Sequence, residues 1–189
     1  MMVETKNYFS DFRLDNCCQI TTTVRPFLSY VYFIDGYAYA CSSYIGLVVS
    51  LLDIGFHDEV INLLNGNKIK RDDFQNLNQS DKFFVDAESC LYSSDENIIQ
   101  VKLNPLDEED QQRDYQKIVD VLWETKRLKE CTSSNTTRIK INNQNLNSFL
   151  ASLPKSMSII ISIINAQKTF VELSDYPNSF GLIMGMAID

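Results

Sequence analysis

A single histidine, His57, stands in this chain of 189 residues. Most hydrolytic chemistry is hard to build around it. A Ser-His-Asp or Cys-His set needs a histidine as base, oriented by a third group. His57 has acids close in sequence, Asp53, Asp58 and Glu59, but an exposed histidine in an acidic loop accounts for that pattern without catalysis. The five cysteines, Cys17, Cys18, Cys41, Cys90 and Cys131, are odd in number and form no C-x-x-C pair. That spacing suits neither a zinc site nor a disulfide framework. It suits reduced thiols packed as small apolar groups in a reducing cytosol. Six glycines supply neither G-x-G-x-x-G nor the G-x-x-x-x-G-K phosphate loop. Asp107, Glu108, Glu109 and Asp110 lack the glycine turn of a Ca²⁺ loop and read as a solvated helix start. The expectation is therefore no catalytic residue, no metal and no cofactor: a binding protein, not an enzyme.

The residues that could bind are easier to find. Lys68, Lys70 and Arg71 gather at a strand–helix junction, where they could meet phosphates or stand in solvent. Tyr30, Tyr32, Phe33, Tyr37 and Tyr39 crowd into one hairpin and could stack bases. Alternation turns about half of them toward a core, so packing accounts for them as well. The net charge is -8, which argues against gripping nucleic acid by the field of the whole domain. It leaves a local basic face open and keeps the chain soluble. The N-terminal stretch is polar and carries no apolar core of a signal peptide. No apolar run approaches the roughly 18 residues of a membrane span, so a cytoplasmic protein with no membrane partner is expected.

The elements that must position these residues follow from local patterns. Two β-prone runs flank Asp35 and Gly36, the signature of a hairpin whose turn needs two positive φ angles. Residues 45–52 extend the sheet, and a short helix over 23–29 has Pro26 in its first turn. A weak helix is predicted over 58–64 with Gly66 as its stop. A short strand at Lys68 leads into a helix capped by an aspartate. Strands are predicted at 83–85, 89–92 and 98–103, with a turn at 93–97. In 105–130 the apolar positions Tyr115, Ile118, Val119 and Leu122 share one helix face. Acids open that helix and Lys126, Arg127 and Lys129 close it, as the helix dipole prefers. Residues 131–137 form a polar linker. Then come a strand at 138–141, a helix capped by Asn142 or Asn143, a hairpin at 159–173 and a last strand at 180–186. The fold class is α+β: antiparallel sheets with short helices, in β-α-β-β(-β) units near residues 12–52, 68–103 and 138–186 that share architecture more than sequence.

This repeated unit resembles the building block of DNA polymerase sliding clamps, and three local matches run in that family's order. Val24-Arg25-Pro26-Phe27-Leu28-Ser29 followed by the hairpin resembles the first clamp unit, with Cys41-Ser42-Ser43-Tyr44 in place of an "ATDG"-like turn. Asp114 and Tyr115 are similar to the "FPDY" segment that follows a clamp's second unit, with Arg113 where the proline would be. Residues 181–186 resemble the "VVMPM" ending of bacterial clamps, with Gly185 replacing the proline.

The resemblance implies a divergent, short clamp-like chain. Residues 1–104 would form two units in one domain, 105–137 an acidic amphipathic helix and linker, and 138–189 a third unit. The implied function is a non-catalytic DNA-replication accessory protein, a processivity factor. The alternative is a clamp-derived protein-interaction module, of phage or mobile-element origin, that does not encircle DNA. Met184 and Met186 would belong to a pocket for a partner peptide. Arg25, Lys68, Lys70 and Arg71 would face DNA. A polymerase or other replication protein, double-stranded DNA and further copies of the chain are the implied partners. Against a ring, the helix at 143–153 contains no lysine or arginine, although an encircling clamp needs cations on its inner helices.

Overall fold

The structure, a computed structural model, describes residues 2–20, 25–94, 97–106, 115–131, 139–165 and 167–185. The acidic run at 107–110, the linker at 132–137, the FPDY-like Asp114 and Met186 lie outside the described residues.

A strand not foreseen in the polar N-terminal stretch, β1 (Val3–Lys6), opens the chain. Two 3-10 turns follow, Tyr8–Asp11 and Leu14–Asn16. The first is capped by Asn7, whose Oδ1 accepts the Phe9 N–H at 3.1 Å. These turns drive Phe9, Phe12 and Leu14 fully into the core, so sparse regular structure is offset by aromatic burial. A third 3-10 turn, Pro26–Ser29, has proline at its start as expected. It feeds β2 (Tyr30–Ile34) and β3 (Tyr37–Cys41). Asp35 (φ 51) and Gly36 (φ 80) between them both occupy the left-handed region, as that two-residue turn requires. β4 (Ile45–Ser50) is buried along its whole length and runs into α1 (Leu51–Ile54) and α2 (Asp58–Leu64).

β5 (Asn67–Lys70) passes directly into α3 (Arg71–Leu77). The expected aspartate cap is absent there. Lys70 holds the cap position without a side-chain bond, and Asp72 and Asp73 sit in the first turn. Strand and helix abut with no residue between them, so the acids favour the helix through its dipole instead. β6 (Lys82–Val85), β7 (Ser89–Ser94), β8 (Asn97–Lys102) and the two-residue β9 (Asn104–Pro105) come next. The long helix α4 (Tyr115–Cys131) precedes α5 (Asn143–Leu150), which Asn142 caps by accepting the Gln144 N–H at 2.7 Å. The strand expected at 138–141 shows only as an isolated bridge at Lys140 among the described residues. β10 (Ile159–Asn165), β11 (Lys168–Leu173) and β12 (Phe180–Met184) complete the chain.

Among the described residues the paired strands all run antiparallel. One sheet has four strands in the order β1-β6-β7-β8. The other has eight, β10-β11-β12-β4-β3-β2-β5-β9. The join between early and late chain is β12 on β4, from Phe180↔Val48 to Ile183↔Ile45. Alternation along these strands sorts the side chains onto two faces. Val31, Phe33, Ala38, Leu47, Val49, Ile69 and Val171 turn to the core face, where they pack with Phe9, Phe74, Phe83 and Phe149. Tyr32, Tyr39, Val48, Phe170, Phe180 and Leu182 turn to the outer face, beneath α4. The four hairpin tyrosines therefore share one face, and a helix covers it. That face packs as a core, which accounts for its aromatic content.

Candidate partner-binding cleft

Helix α4 is fastened to the outer face from its start, where buried Tyr115 stacks on Tyr32 with ring centres 5.7 Å apart. Trp123 Nε1–H donates to the Tyr39 hydroxyl at 3.0 Å, and its ring meets Tyr37 and Phe180 edge-on at 5.4 and 5.1 Å. The Lys126 ammonium lies 4.9 Å from the Trp123 ring centre and 5.2 Å from that of Phe180, within reach of a cation–π attraction. Lys129 pairs with Glu172 at 2.7 Å. Burial pushes the Tyr39 hydroxyl up to about 12, so it stays protonated as a partner for Trp123.

The first half of α4 approaches the sheet at Gly46. A Cβ there would lie 2.7 Å from Leu122 Cδ2, so a glycine permits the contact. Beside this point lies a cleft of about 260 Å³. Ile118, Val121 and Leu122 form its helical wall, and Gly46, Leu182 and Met184 form its floor. Phe27 and Leu28 from the 3-10 turn close one end. The Met184 N–H donates to the Tyr44 carbonyl at 2.7 Å, which pins the end of β12 to the β3–β4 turn. In that turn Ser42 Oγ accepts the Tyr44 and Ile45 N–H groups, each at 3.3 Å. Among the described residues the charged groups at the cleft are Arg25 and Lys117, both cations. Cys41 also borders it, and burial pushes its thiol up to about 12, leaving it neutral and unreactive at physiological pH. The result is an apolar slot with a cationic rim, in a chain whose net charge is -8. It can take an apolar side chain out of water and hold an acidic or carbonyl group at its edge. Among the described lining residues none is a histidine, aspartate or glutamate.

Of the residues singled out from sequence, the cleft brings together Met184, half-buried in its floor, and Arg25, whose Nη1 donates to Ser43 Oγ at 3.3 Å. The other basic residues lie elsewhere. Lys68 and Lys70 alternate with buried Ile69 and so point to the outer face of β5, with the Lys68 ammonium 5.1 Å from the Tyr30 ring centre. Arg71 turns inward: Nε donates to the Asp15 carbonyl at 3.1 Å, and Nη1 pairs with Asp72 at 3.0 Å. His57 is exposed and precedes α2 without a side-chain cap bond. Sequence reasoning missed Ile118, Val121, Leu122 and Leu182 as cleft residues. Their helical and strand periodicity was legible, but nothing local states which face of the sheet α4 covers.

No protein-family model matches the chain, and no curated protein matches it in sequence. Solved structures do match in fold. The beta subunit of DNA polymerase III from Thermotoga maritima aligns over 100% of this chain and 65% of its own, with a TM-score of 0.60 at 9% identity. The chain has the fold of a bacterial sliding clamp. A DNA polymerase sliding clamp from Bacillus subtilis covers the same 100% here and 65% of its own length, at TM-score 0.56 and 11% identity. The Helicobacter pylori beta clamp bound to a DNA ligase peptide aligns over 100% of this chain and 66% of that one, at TM-score 0.54 and 10% identity. The chain thus spans about two thirds of the clamp subunits it matches. Among the described residues no helix is long and apolar enough to cross a membrane, and no group of three or more His, Cys, Asp or Glu could hold a metal ion.

Proposed function

We propose that this clamp-fold chain is a non-catalytic interaction module. It seats an apolar peptide segment of a replication protein in the cleft between α4 and the outer sheet face, and it does not hold DNA by encirclement. The observation that carries this reading is the apolar slot, with Met184 in its floor and Arg25 and Lys117 at its rim. The Helicobacter clamp of the same fold binds a DNA ligase peptide, which supports a peptide as the occupant. In this reading residues 1–104 form the two-unit domain, 138–189 supply the third unit with Met184 and Met186 at its end, and 105–137 supply the helix that walls the cleft.

The second reading, a processivity factor on double-stranded DNA, is favoured by the alignment of the whole chain on clamp subunits. It calls for cations that converge on phosphates. Arg25, Lys68, Lys70 and Arg71 would act from three separate places, and α5 contributes no cation.

A random peptide library displayed on phage and selected on the immobilised chain tests the first reading. Enriched sequences should share an apolar anchor beside an acidic residue, and should lose binding to a Val121→Glu variant. Val121 is 39% exposed, so that substitution leaves the core intact. Enrichment of nothing above background, together with salt-sensitive retention on circular duplex DNA, would favour the second reading instead.

A further inference from the structure

A second groove, of about 850 Å³, opens where the first two 3-10 turns, the end of α5 and the β11–β12 loop meet. It shares no lining residue with the cleft beside α4. Leu150, Leu153, Pro154 and Met157 give it apolar surface, and Tyr176 gives it a ring. That ring is fixed in place. It meets buried Phe12 at an angle of 75° with centres 5.0 Å apart, and the Tyr176 N–H donates to the Leu173 carbonyl at 3.0 Å.

Charges of both signs border this apolar surface. Arg13 is oriented by a buried partner. Its Nε and Nη2 each donate to Asp15 at 3.1 Å. The Asp15 side chain has no exposed surface, while 41% of the Arg13 side chain stays exposed. The Nη1 edge takes no part in that fork, so an oriented guanidinium edge is left for an anion. The Arg13 N–H donates to the Ser152 carbonyl at 3.0 Å, which brings this turn beside the segment that carries exposed Lys155. Asp11 and Asp175, both exposed, border the groove together with Tyr176. Burial raises the Tyr176 hydroxyl above its ordinary value and the two carboxylates raise it further, so both acids stand near that ring.

We propose that this groove binds a nucleoside monophosphate whose base carries an exocyclic amine, with the phosphate on Arg13 and Lys155, the base against Tyr176 and Met157, and the amine donating to Asp11 or Asp175. The mixed charge narrows the choice of ligand. A metal cation or a polyamine is repelled by Arg13 and Lys155, and a polyphosphate by Asp11 and Asp175. A molecule with one anionic end, a flat middle and a donor at its other end satisfies both pairs. An aromatic base stacks on a tyrosine ring, and a phosphate accepts from a guanidinium fork. A free amino acid carries both charges but fills only a small part of a groove of this volume. This inference is independent of the peptide cleft.

The full chain labelled with ¹³C at the methionine methyls tests it, because Met157 lines this groove and Met184 lines the other. Adenosine monophosphate should shift the Met157 resonance saturably and leave that of Met184 in place. Uridine monophosphate, which lacks the amine, and inorganic phosphate, which lacks the base, should both bind more weakly. Lys155→Glu should weaken adenosine monophosphate by about tenfold, as should Asp11→Ala combined with Asp175→Ala. All three positions are exposed, so the thermal midpoint should stay unchanged. No shift of Met157, a shift of Met184 in its place, inorganic phosphate binding as tightly as the nucleotide, or an affinity untouched by Lys155→Glu would each overturn the proposal.

Discussion

The two faces of the eight-stranded sheet solve the same problem in different ways. On the core face, short elements bring large rings close against the sheet. Phe149 of α5 sits where a Cβ on Gly181 would come within 2.2 Å of its ring. The helices α3 and α5 on this face carry Arg71 as their sole cation, and it is paired with Asp72. On the outer face one long helix, α4, is held by Tyr115 stacked on Tyr32 at its start and by Trp123 and Lys126 farther along, and a cleft remains beside it. The difference teaches where binding can reside. Rings packed close against a sheet stabilise the fold, whereas a single covering helix leaves an apolar slot beside it that a partner can fill.

Substitutions can break this comparison at either face, and the largest effect belongs to the core face. Phe149 is fully buried, so Phe149→Ala should cost about 3–5 kcal/mol of stability, read as a lower denaturant midpoint. Gly181→Ala should cost about 1–3 kcal/mol by overpacking against that same ring. A loss within the error of the measurement would show that α5 is not seated as described. Gly46→Ala on the outer face meets only the flexible end of Leu122. It should cost less than Gly181→Ala and weaken peptide binding by shifting the wall of the cleft.

A pH titration gives the smallest effect. Burial raises the thiols of Cys17, Cys41 and Cys90 from 9.0 to about 12, and burial likewise raises the Tyr39 hydroxyl from 10.0 to about 12. Groups raised in the folded state bind their protons more tightly there. Their contribution is fully present below the unfolded values and is lost as pH climbs toward the folded ones. Stability governed by these groups should hold from neutral pH to about 9 and decline toward 12, as thermal unfolding across that range would record. A decline that begins below pH 8 would point to other groups.

Much of the fold was legible because its signals are local. Asp35-Gly36 specified a turn, Asn142 a cap, and the spacing of Tyr115, Ile118 and Leu122 one helix face. β1 was not legible: Val3–Lys6 carries one buried residue, Thr5, and its pairing with β6 spans nearly eighty positions of sequence. The cleft was half legible. Met184 and Arg25 could be singled out through the clamp resemblance, but their meeting depends on β12 joining β4 and on α4 crossing the outer face. Both are long-range contacts that no local pattern encodes. Lys68, Lys70 and Arg71 show the opposite case. Adjacent in sequence, they are parted by the alternation of a strand and by the turn into a helix.

Methionine methyl groups report on the two faces directly. Met184 lies in the cleft, and Met157 lies beside α5 on the core side. Chain labelled with ¹³C at the methionine methyls should be titrated first with a peptide from the phage selection and then with duplex DNA. The account predicts that the peptide moves the Met184 resonance, leaves that of Met157 in place, and that DNA moves neither at physiological salt. A peptide that shifts Met157 alone, or DNA that shifts Met157 at physiological salt, would contradict it.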